Sequence, residues 1–281
     1  MAIVTISRGT YSGGKQLAES LAEKLGYRCL SREELLTGVA KKYEVGDDTL
    51  SEALHYKPDF LEGTKLGKIH YIAFVRAALC REVRSNEVVY HGQGGHLLLA
   101  GVPHILRVRV IADMEFRIKA AMNRHDVNRE KAIELIKKVD RHRAIWMISI
   151  YQTDWQDASR CDLVINLEHM SIDSACELLV HAVGGPRLKT TSESQQIMDD
   201  LLLSSDIRER IAAHSWRDIE ERIEDYDVKI TSDKGAVDIR GKTSSQQEID
   251  RIIQIARETP GVREIRSQML IRTMGATYEP R

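Results

Sequence analysis

The chain has 281 residues, 41 basic and 42 acidic side chains, and only 5% aromatic residues. That length allows one large or two smaller domains, and the balanced charge gives no global attraction to nucleic acid or an anionic membrane. Sparse aromatics argue against an extended base-stacking platform, so no nucleic-acid partner is expected. Cys29, Cys80, Cys161 and Cys176 lack C-x-x-C or zinc-finger spacing and read as small apolar core residues. No apolar run is long enough to span a bilayer, and no signal peptide precedes the first strand, so a reduced, cytoplasmic protein is expected.

Ala2 to Ile6 form a short apolar, β-branched run that reads as a buried strand. It breaks into the turn Gly9-Thr10-Tyr11-Ser12-Gly13-Gly14-Lys15-Gln16, after which Leu17, Ala18, Leu21, Ala22 and Leu25 recur at helical spacing up to Gly26. Strand, glycine loop and helix form the setting in which a loop can cradle phosphate. Glycines let several backbone N–H groups converge on one anion, the helix start adds its positive end, and lysine adds a point charge. Gly9, Gly14 and Lys15 have the G-x-x-x-x-G-K spacing. Gln16 and Leu17 follow, where a Ser or Thr hydroxyl normally reaches magnesium.

Tyr27 to Leu30 predict a second strand, and Ser31 with Glu34 has the form of a capping box for the next helix. Residues 45–64 read as a loose excursion, followed by a helix over about 65–84 that carries Arg76 beside an apolar face. Glu87 to His91 predict a strand that ends in a second glycine turn, Gly92-Gln93-Gly94-Gly95-His96. His91 and His96 read as hydrogen-bonding histidines rather than metal ligands, because no third ligand has suitable spacing. A strand over 105–111 precedes helices capped by Asp113 and Asn128, the first of which carries Arg117 and Arg124. Asp140-Arg141-His142-Arg143 then leads toward a mobile helix-to-strand segment. Asp154-Trp155-Gln156-Asp157 fits either a closing loop or a cap-and-turn. Asp162 to Asn166 form the last strand, and Ser171 opens a closing helix that ends at Gly184-Gly185-Pro186.

This alternation predicts an α/β fold: a parallel sheet with helices on both faces and ligands at the carboxyl ends of its strands, where both glycine turns fall. Residues 1–185 form that domain, and 186–196 are polar and aperiodic, reading as a linker. Residues 197–275 follow another rhythm. A helix over about 197–214 precedes two period-two runs, Asp227–Thr231 and Ala236–Arg240, joined at Ser232-Asp233-Lys234-Gly235 as a hairpin. Ser245 and Glu248 form a second capping box, Thr259-Pro260-Gly261 stops the helix, and Val262 to Ile271 predict a last strand. This is a small α+β module.

Several motifs in order resemble the cytidylate kinase-like group of P-loop nucleoside monophosphate kinases. They are Ile6-Ser7-Arg8 with Ser12-Gly13-Gly14-Lys15, Ser31-Arg32-Glu33-Glu34-Leu35, Arg117, Asp140-Arg141-His142-Arg143, and Cys161 to Asn166. Residues from about 197 to 272 look like a BON domain, carried by the Val228–Ile230 and Val237–Ile239 hairpin, Gly241, the capped helix and Pro260-Gly261-Val262.

The resemblance implies ATP with Mg2+, the β- and γ-phosphates resting on Lys15 and the backbone of residues 9–16. Arg141 and Arg143 would be lid arginines closing over the transferring group, where desolvated cations help most. Arg32, Arg76, Gln93 and Arg117 would face the acceptor, Arg76 holding its phosphate. The BON resemblance implies a phospholipid or protein partner. The chain departs from the family pattern at Gln16, at Ser31 in place of the usual aspartate, and at Gln93 in place of an arginine. Two readings stand. One is an ATP-dependent kinase of a CMP-like nucleoside monophosphate or similar small phosphorylated acceptor. The other is a catalytically degenerate nucleotide sensor with the BON-like module as its output.

Overall fold

The computed structural model describes residues 2–43, 65–217 and 228–272, with no side-chain description for 65–69 and 215–217. The expected excursion over 45–64 lies outside the described residues. Strand β1 (Ile3–Arg8) is followed by α1 (Gly14–Leu25), β2 (Arg28–Ser31), α2 (Arg32–Tyr43), α3 (Lys65–Val83) and β3 (Val88–His91). Then come α4 (Gly95–Leu98), β4 (Ile105–Ile111), α5 (Met114–His125), α6 (Arg129–Tyr151), β5 (Leu163–Asn166) and α7 (Ile172–Val183).

The five strands form one parallel sheet in the order β2-β3-β1-β4-β5. Strand β1 is central, with Ile6 beside His91 of β3 and Val108 of β4, and Ser7 beside Arg109. Chain direction across the sheet reverses around β1, so a crevice opens at its carboxyl end. That crevice holds the glycine loop.

The strands are apolar on both sides because both faces are covered, as expected for a parallel sheet. Val4, Ile6, Val108 and Val110 point to one face and pack on Leu17 and Leu21 of α1 and on Leu179 of α7. Ile3, Val88, Tyr90 and Ile105 point to the other, against Leu36, Leu79, Leu98, Trp146 and Met147.

A small C-terminal domain follows: α8 (Ser192–Arg217), β6 (Lys229–Asp233), β7 (Ala236–Thr243), α9 (Gln246–Arg257) and β8 (Glu264–Ile271). Its separate sheet runs β6-β7-β8, antiparallel for β6–β7 and parallel for β7–β8. Lys234 (φ 50°) and Gly235 (φ 86°) make the tight hairpin turn, as a primed turn requires. Val237, Ile239 and Ile252 pack on Ile207 and Ile211 of α8.

Some boundaries differ from expectation. Helix α8 starts at Ser192, not about 197, because Thr191 and Ser194 cap it reciprocally (Ser194 N–H to Thr191 Oγ1 3.1 Å, Thr191 N–H to Ser194 Oγ 2.9 Å). The expected linker is thus partly helix start, and partly a 3-10 turn over Pro186–Leu188. Ser31 caps α2 by accepting from Glu34 N–H at 3.0 Å, but the Glu34 carboxylate turns to Arg28 instead of closing the box. Ser245 caps α9 likewise, and Glu248 reaches back to the N–H of Ser244 at 2.9 Å.

Candidate functional site

The glycine loop runs from Gly9 to Gly13 and is shaped by three constraints. Gly9 N–H donates to the Val110 carbonyl (3.1 Å), and the Ser12 hydroxyl donates to the Gly9 carbonyl (2.9 Å), folding the loop on itself. Gly13 is left-handed (φ 81°) and leads into α1 with no side-chain cap. A Cβ on Gly14 would lie 2.6 Å from the Arg8 Cβ, so only glycine fits there. The first turn of α1 holds no acidic residue, and its opening amides lack a capping side chain. An uncapped helix start fed by a tight glycine turn is a place for an anion.

Lys15 and Gln16 both sit exposed at that start. Lys15 stands 3.7 Å from Glu19, one turn on, in an exposed pair that contributes little. Thr10 and Tyr11 face away from α1 toward the α5–α6 hairpin. The Thr10 hydroxyl donates to Asp140 Oδ1 (2.9 Å). Arg117 donates through Nε to the Thr10 carbonyl (2.7 Å) and through Nη2 to Asp140 Oδ2 (2.6 Å). Tyr11, left-handed at φ 57°, packs on the Ile118, Ala121, Ala132 and Ile136 cluster and hydrogen-bonds His125 Nε2 at 2.8 Å. Holding a non-glycine residue in that backbone region has a cost, which this anchoring offsets.

Arg143 is buried; its Nη1 donates to the Arg8 carbonyl (3.0 Å), and its own carbonyl accepts from Gln93 Nε2 (3.2 Å). Arg141, two residues earlier, is exposed. Both lie within the continuous helix α6, which runs unbroken to Tyr151, rather than in a helix-to-strand segment. The helix-to-strand segment they were expected to lie near begins only after Tyr151: Asn128 caps α6 (Lys131 N–H to Asn128 Oδ1 2.9 Å), and Trp146, Met147 and Ile150 keep its later turns buried against the sheet. Asp154 and Asp157 make local turns, accepting from Gln156 N–H (2.8 Å) and Ser159 N–H (3.0 Å). Trp155 serves Arg109, whose guanidinium lies 5.0 Å from its ring and donates to its carbonyl.

Of the residues expected to face an acceptor, Arg32 is 1% exposed. Its guanidinium carbon lies 5.4 Å from the Trp146 ring centroid and Nη2 donates to the Tyr71 hydroxyl (3.3 Å). Gly92 abuts this side chain, since a Cβ there would stand 2.5 Å from the Arg32 Cβ. Arg76 is half-buried on α3, and its Nε has no hydrogen-bond partner among the described residues. Gln93 Oε1 and the Tyr151 hydroxyl likewise have none among them. Arg124 lies exposed in the last turn of α5.

The histidines of the second glycine turn are neutral near pH 7. Burial, reinforced by the Arg8 charge, pushes His91 down to about 4. Burial and the arginines 107, 160 and 109 do the same to His96, to about 4. Arg8 also pairs with Glu33 at 3.1 Å. Burial raises the Glu33 carboxyl, but Arg8 and further hydrogen bonding outweigh it and leave it below the usual range. Among the described residues no group of three or more His, Cys, Asp and Glu side chains could hold a metal ion.

The reading from sequence left Asp140, Arg8 and His125 out of the site. Asp140 joins the loop to Arg117, and a signal for it existed: it sits one helical turn before Arg143, on the same side of α6. Nothing local marks His125, whose partner is 114 residues away.

The model of the cytidylate kinase-like family matches residues 3–169, more than half the chain. The protein belongs to the cytidylate kinase-like family. Its parallel sheet and glycine loop are thus those of a kinase-like, nucleotide-binding fold. The BON domain model matches residues 199–273, which places most of α8 inside that match. No curated protein matches the chain significantly. Among solved structures, an uncharacterized protein from Eubacterium ventriosum shares 22% identity at a TM-score of 0.52, covering 65% of this chain and 97% of its own. A shikimate kinase from Bacteroides thetaiotaomicron shares 13% identity at a TM-score of 0.41, covering 65% of this chain and 98% of its own. The first of these likenesses speaks to the fold alone. Among the described residues no helix is long and apolar enough to cross a membrane.

Proposed function

We propose that the protein transfers the γ-phosphoryl group of ATP to a small phosphorylated acceptor of the nucleoside monophosphate class, with CMP as the first candidate. The observation that carries this is the uncapped start of α1, fed by the folded glycine loop and flanked by Lys15, at the carboxyl end of the central strand. Phosphoryl transfer asks a protein mainly to position two anions and spread charge, and that end of the sheet offers the groups to do so.

ATP is the anion we assign to the loop because Gly13, at φ 81°, and Gly14, where a Cβ would strike the Arg8 Cβ, let it turn tightly into α1 and leave the opening amides of that helix uncapped. The residues to hold it are the backbone of 9–16 and Lys15, with Arg117 and Arg143 bordering the loop from the α5–α6 side. Mg2+ would arrive with the nucleotide, supplying charge neutralisation between the phosphates. Gln16 offers an amide oxygen where a hydroxyl is usual, and oxygen is the donor this cation takes. Arg32, Arg76 and Gln93 form the acceptor side; Arg76 Nε and Gln93 Oε1, without a partner among the described residues, are groups a bound acceptor would satisfy.

A second reading has a specific observation in its favour. Thr10, Arg117 and Asp140 already satisfy one another, and Arg143 is spent on a loop carbonyl. A nucleotide sensor, signalling through the BON domain to a phospholipid or protein partner, needs no free lid arginine. The test is ADP formation with Mg2+ATP against a panel of nucleoside monophosphates, beside ATP calorimetry, for wild type and Lys15→Ala. Acceptor-dependent turnover lost in the variant supports the kinase. Binding without turnover selects the sensor, and neither binding nor turnover removes both.

A further inference from the structure

Helix α8 belongs to the C-terminal module through its packing on β6 and β7, yet it is also part of the acceptor side. Glu209 of α8 is 3% exposed and sits between two helices of the parallel-sheet domain. Its carboxylate accepts from Lys42 Nζ in the last turn of α2 (3.0 Å) and from both terminal nitrogens of Arg81 in α3. Burial raises this carboxyl, but hydrogen bonds from Arg81, Tyr43 and Lys42 outweigh it and hold the group below the usual range. Asp206, one turn earlier, takes a further contact from Arg81 at 2.6 Å.

Apolar packing joins the same three helices. Tyr43 of α2 stacks on Phe74 of α3, with ring centroids 4.1 Å apart, and Phe74 packs with Ala73 and with Ala212 of α8. Met198 of α8, fully buried, belongs to the core on that face of the large sheet. The helices held this way carry the acceptor-side arginines. Arg32 opens α2, and Arg76 precedes Arg81 by five residues on α3.

We infer that Glu209 is a positioning residue: by clamping α2 and α3 from the C-terminal module, it sets the placement of Arg32 and Arg76 and thereby the affinity for the acceptor, without touching the ATP side. This rests on the kinase reading for the identity of the site. The physical warrant is a buried anion shared by two helices. Neutralising it removes the buried carboxylate that Lys42 and Arg81 share and leaves Arg81 only the more exposed Asp206, so both helices must shift to regain water or another acceptor. The loop at 9–14 is held chiefly by β4, α5 and α6, with the Arg8–Glu33 pair just before it as a link to α2, and should respond little.

The test compares wild type, Glu209→Gln, Glu209→Ala and the swapped pair Glu209→Arg/Arg81→Glu. CMP and ATP binding are measured separately by calorimetry, with amide exchange followed along the whole chain. The expected result is CMP affinity weakened about five- to twenty-fold in the Gln variant, in the usual range of coupling between sites. ATP affinity stays within twofold, exchange rises in α2 and α3 but not in residues 9–14, and the swapped pair recovers part of the loss. Equal losses for CMP and ATP, or a lowered melting temperature with CMP affinity unmoved, would overturn the inference. If wild type binds no CMP, the acceptor reading fails first and exchange alone decides. Loosening of α2 and α3 around residues 32 and 76 then upholds the clamp, and loosening confined to α8 or spread evenly sinks it.

Discussion

The two faces of the parallel sheet are closed in different ways. One is sealed by α1 and α7, helices of the same domain, with Leu17, Leu21 and Leu179 fully buried against Val4 and Ile6. The other is sealed by α3, α4 and α6 together with α8, which delivers Met198 to the core and Glu209 to the ends of α2 and α3. The first face carries the helix that follows the phosphate loop. The second carries Arg32 and Arg76. A sheet closed by its own crossovers needs nothing from elsewhere in the chain. A face completed by a distant helix ties whatever it bears to that helix: α2 and α3, with Arg32 and Arg76, are clamped directly from α8, whereas the loop at 9–14 meets α5 and α6.

Core truncations should probe that difference with the largest effects. Leu179→Ala and Met198→Ala should each cost about 2–5 kcal/mol by denaturant unfolding. Amide exchange should separate them: the first loosens α1, whereas the second loosens α3 although Met198 lies in the C-terminal module's helix. If Met198→Ala left α3 protected, the two faces would be closed alike after all.

Next in size is Lys15→Ala. Loss of one charge at the loop should lower turnover at least about 100-fold with the melting temperature unchanged, because Lys15 is exposed and its ion pair among the described residues is the exposed one with Glu19. A fall in stability instead would move the residue from chemistry to structure.

The pH dependence comes from His91, at the end of β3 beside the second glycine turn. It is buried, and its folded-state value of about 4 lies below the ordinary 6.5. The unfolded chain therefore takes up the proton first. Stability is intact above about pH 6.5 and falls as pH drops from there toward 4, by about 3 kcal/mol for this residue. Unfolding of His91→Gln across pH 7 to 4.5 should show a flatter slope than wild type; an unchanged slope would assign the effect to other groups.

The smallest effect is expected at Asp140→Asn, which keeps one acceptor and loses the charge shared by Thr10 and Arg117. It should cost about 1 kcal/mol and weaken ATP more than CMP, read by calorimetry, because Asp140 itself bonds to Thr10 of the loop and to Arg117. Equal weakening of both ligands would dissolve the distinction between the halves.

Much of this was legible in one dimension because its determinants are local. Alternating strands and helices announced the parallel sheet, and Asp113, Asn128, Ser171 and Ser245 cap helices as their spacing foretold. The glycine loop was equally plain, since its conformation follows from Gly13 and Gly14 themselves. The start of α8 was placed late, because its capping pair, Thr191 and Ser194, sits in a polar stretch without hydrophobic rhythm. Arg141 and Arg143 read alike in sequence. Only helix geometry exposes the first and turns the second onto the Arg8 carbonyl.

What the sequence alone determined, then, is everything set by short-range spacing: the order of elements, the phosphate-type loop, the hairpin at Lys234-Gly235 and the identity of the basic residues available to the cleft. Tertiary structure decided how those residues are used. Asp140 meets Thr10 across 130 residues, and Glu209 meets Arg81 across 128. No periodicity encodes such pairs, because an ion pair forms where packed helices bring two charges within reach, and the packing is fixed by apolar side chains elsewhere.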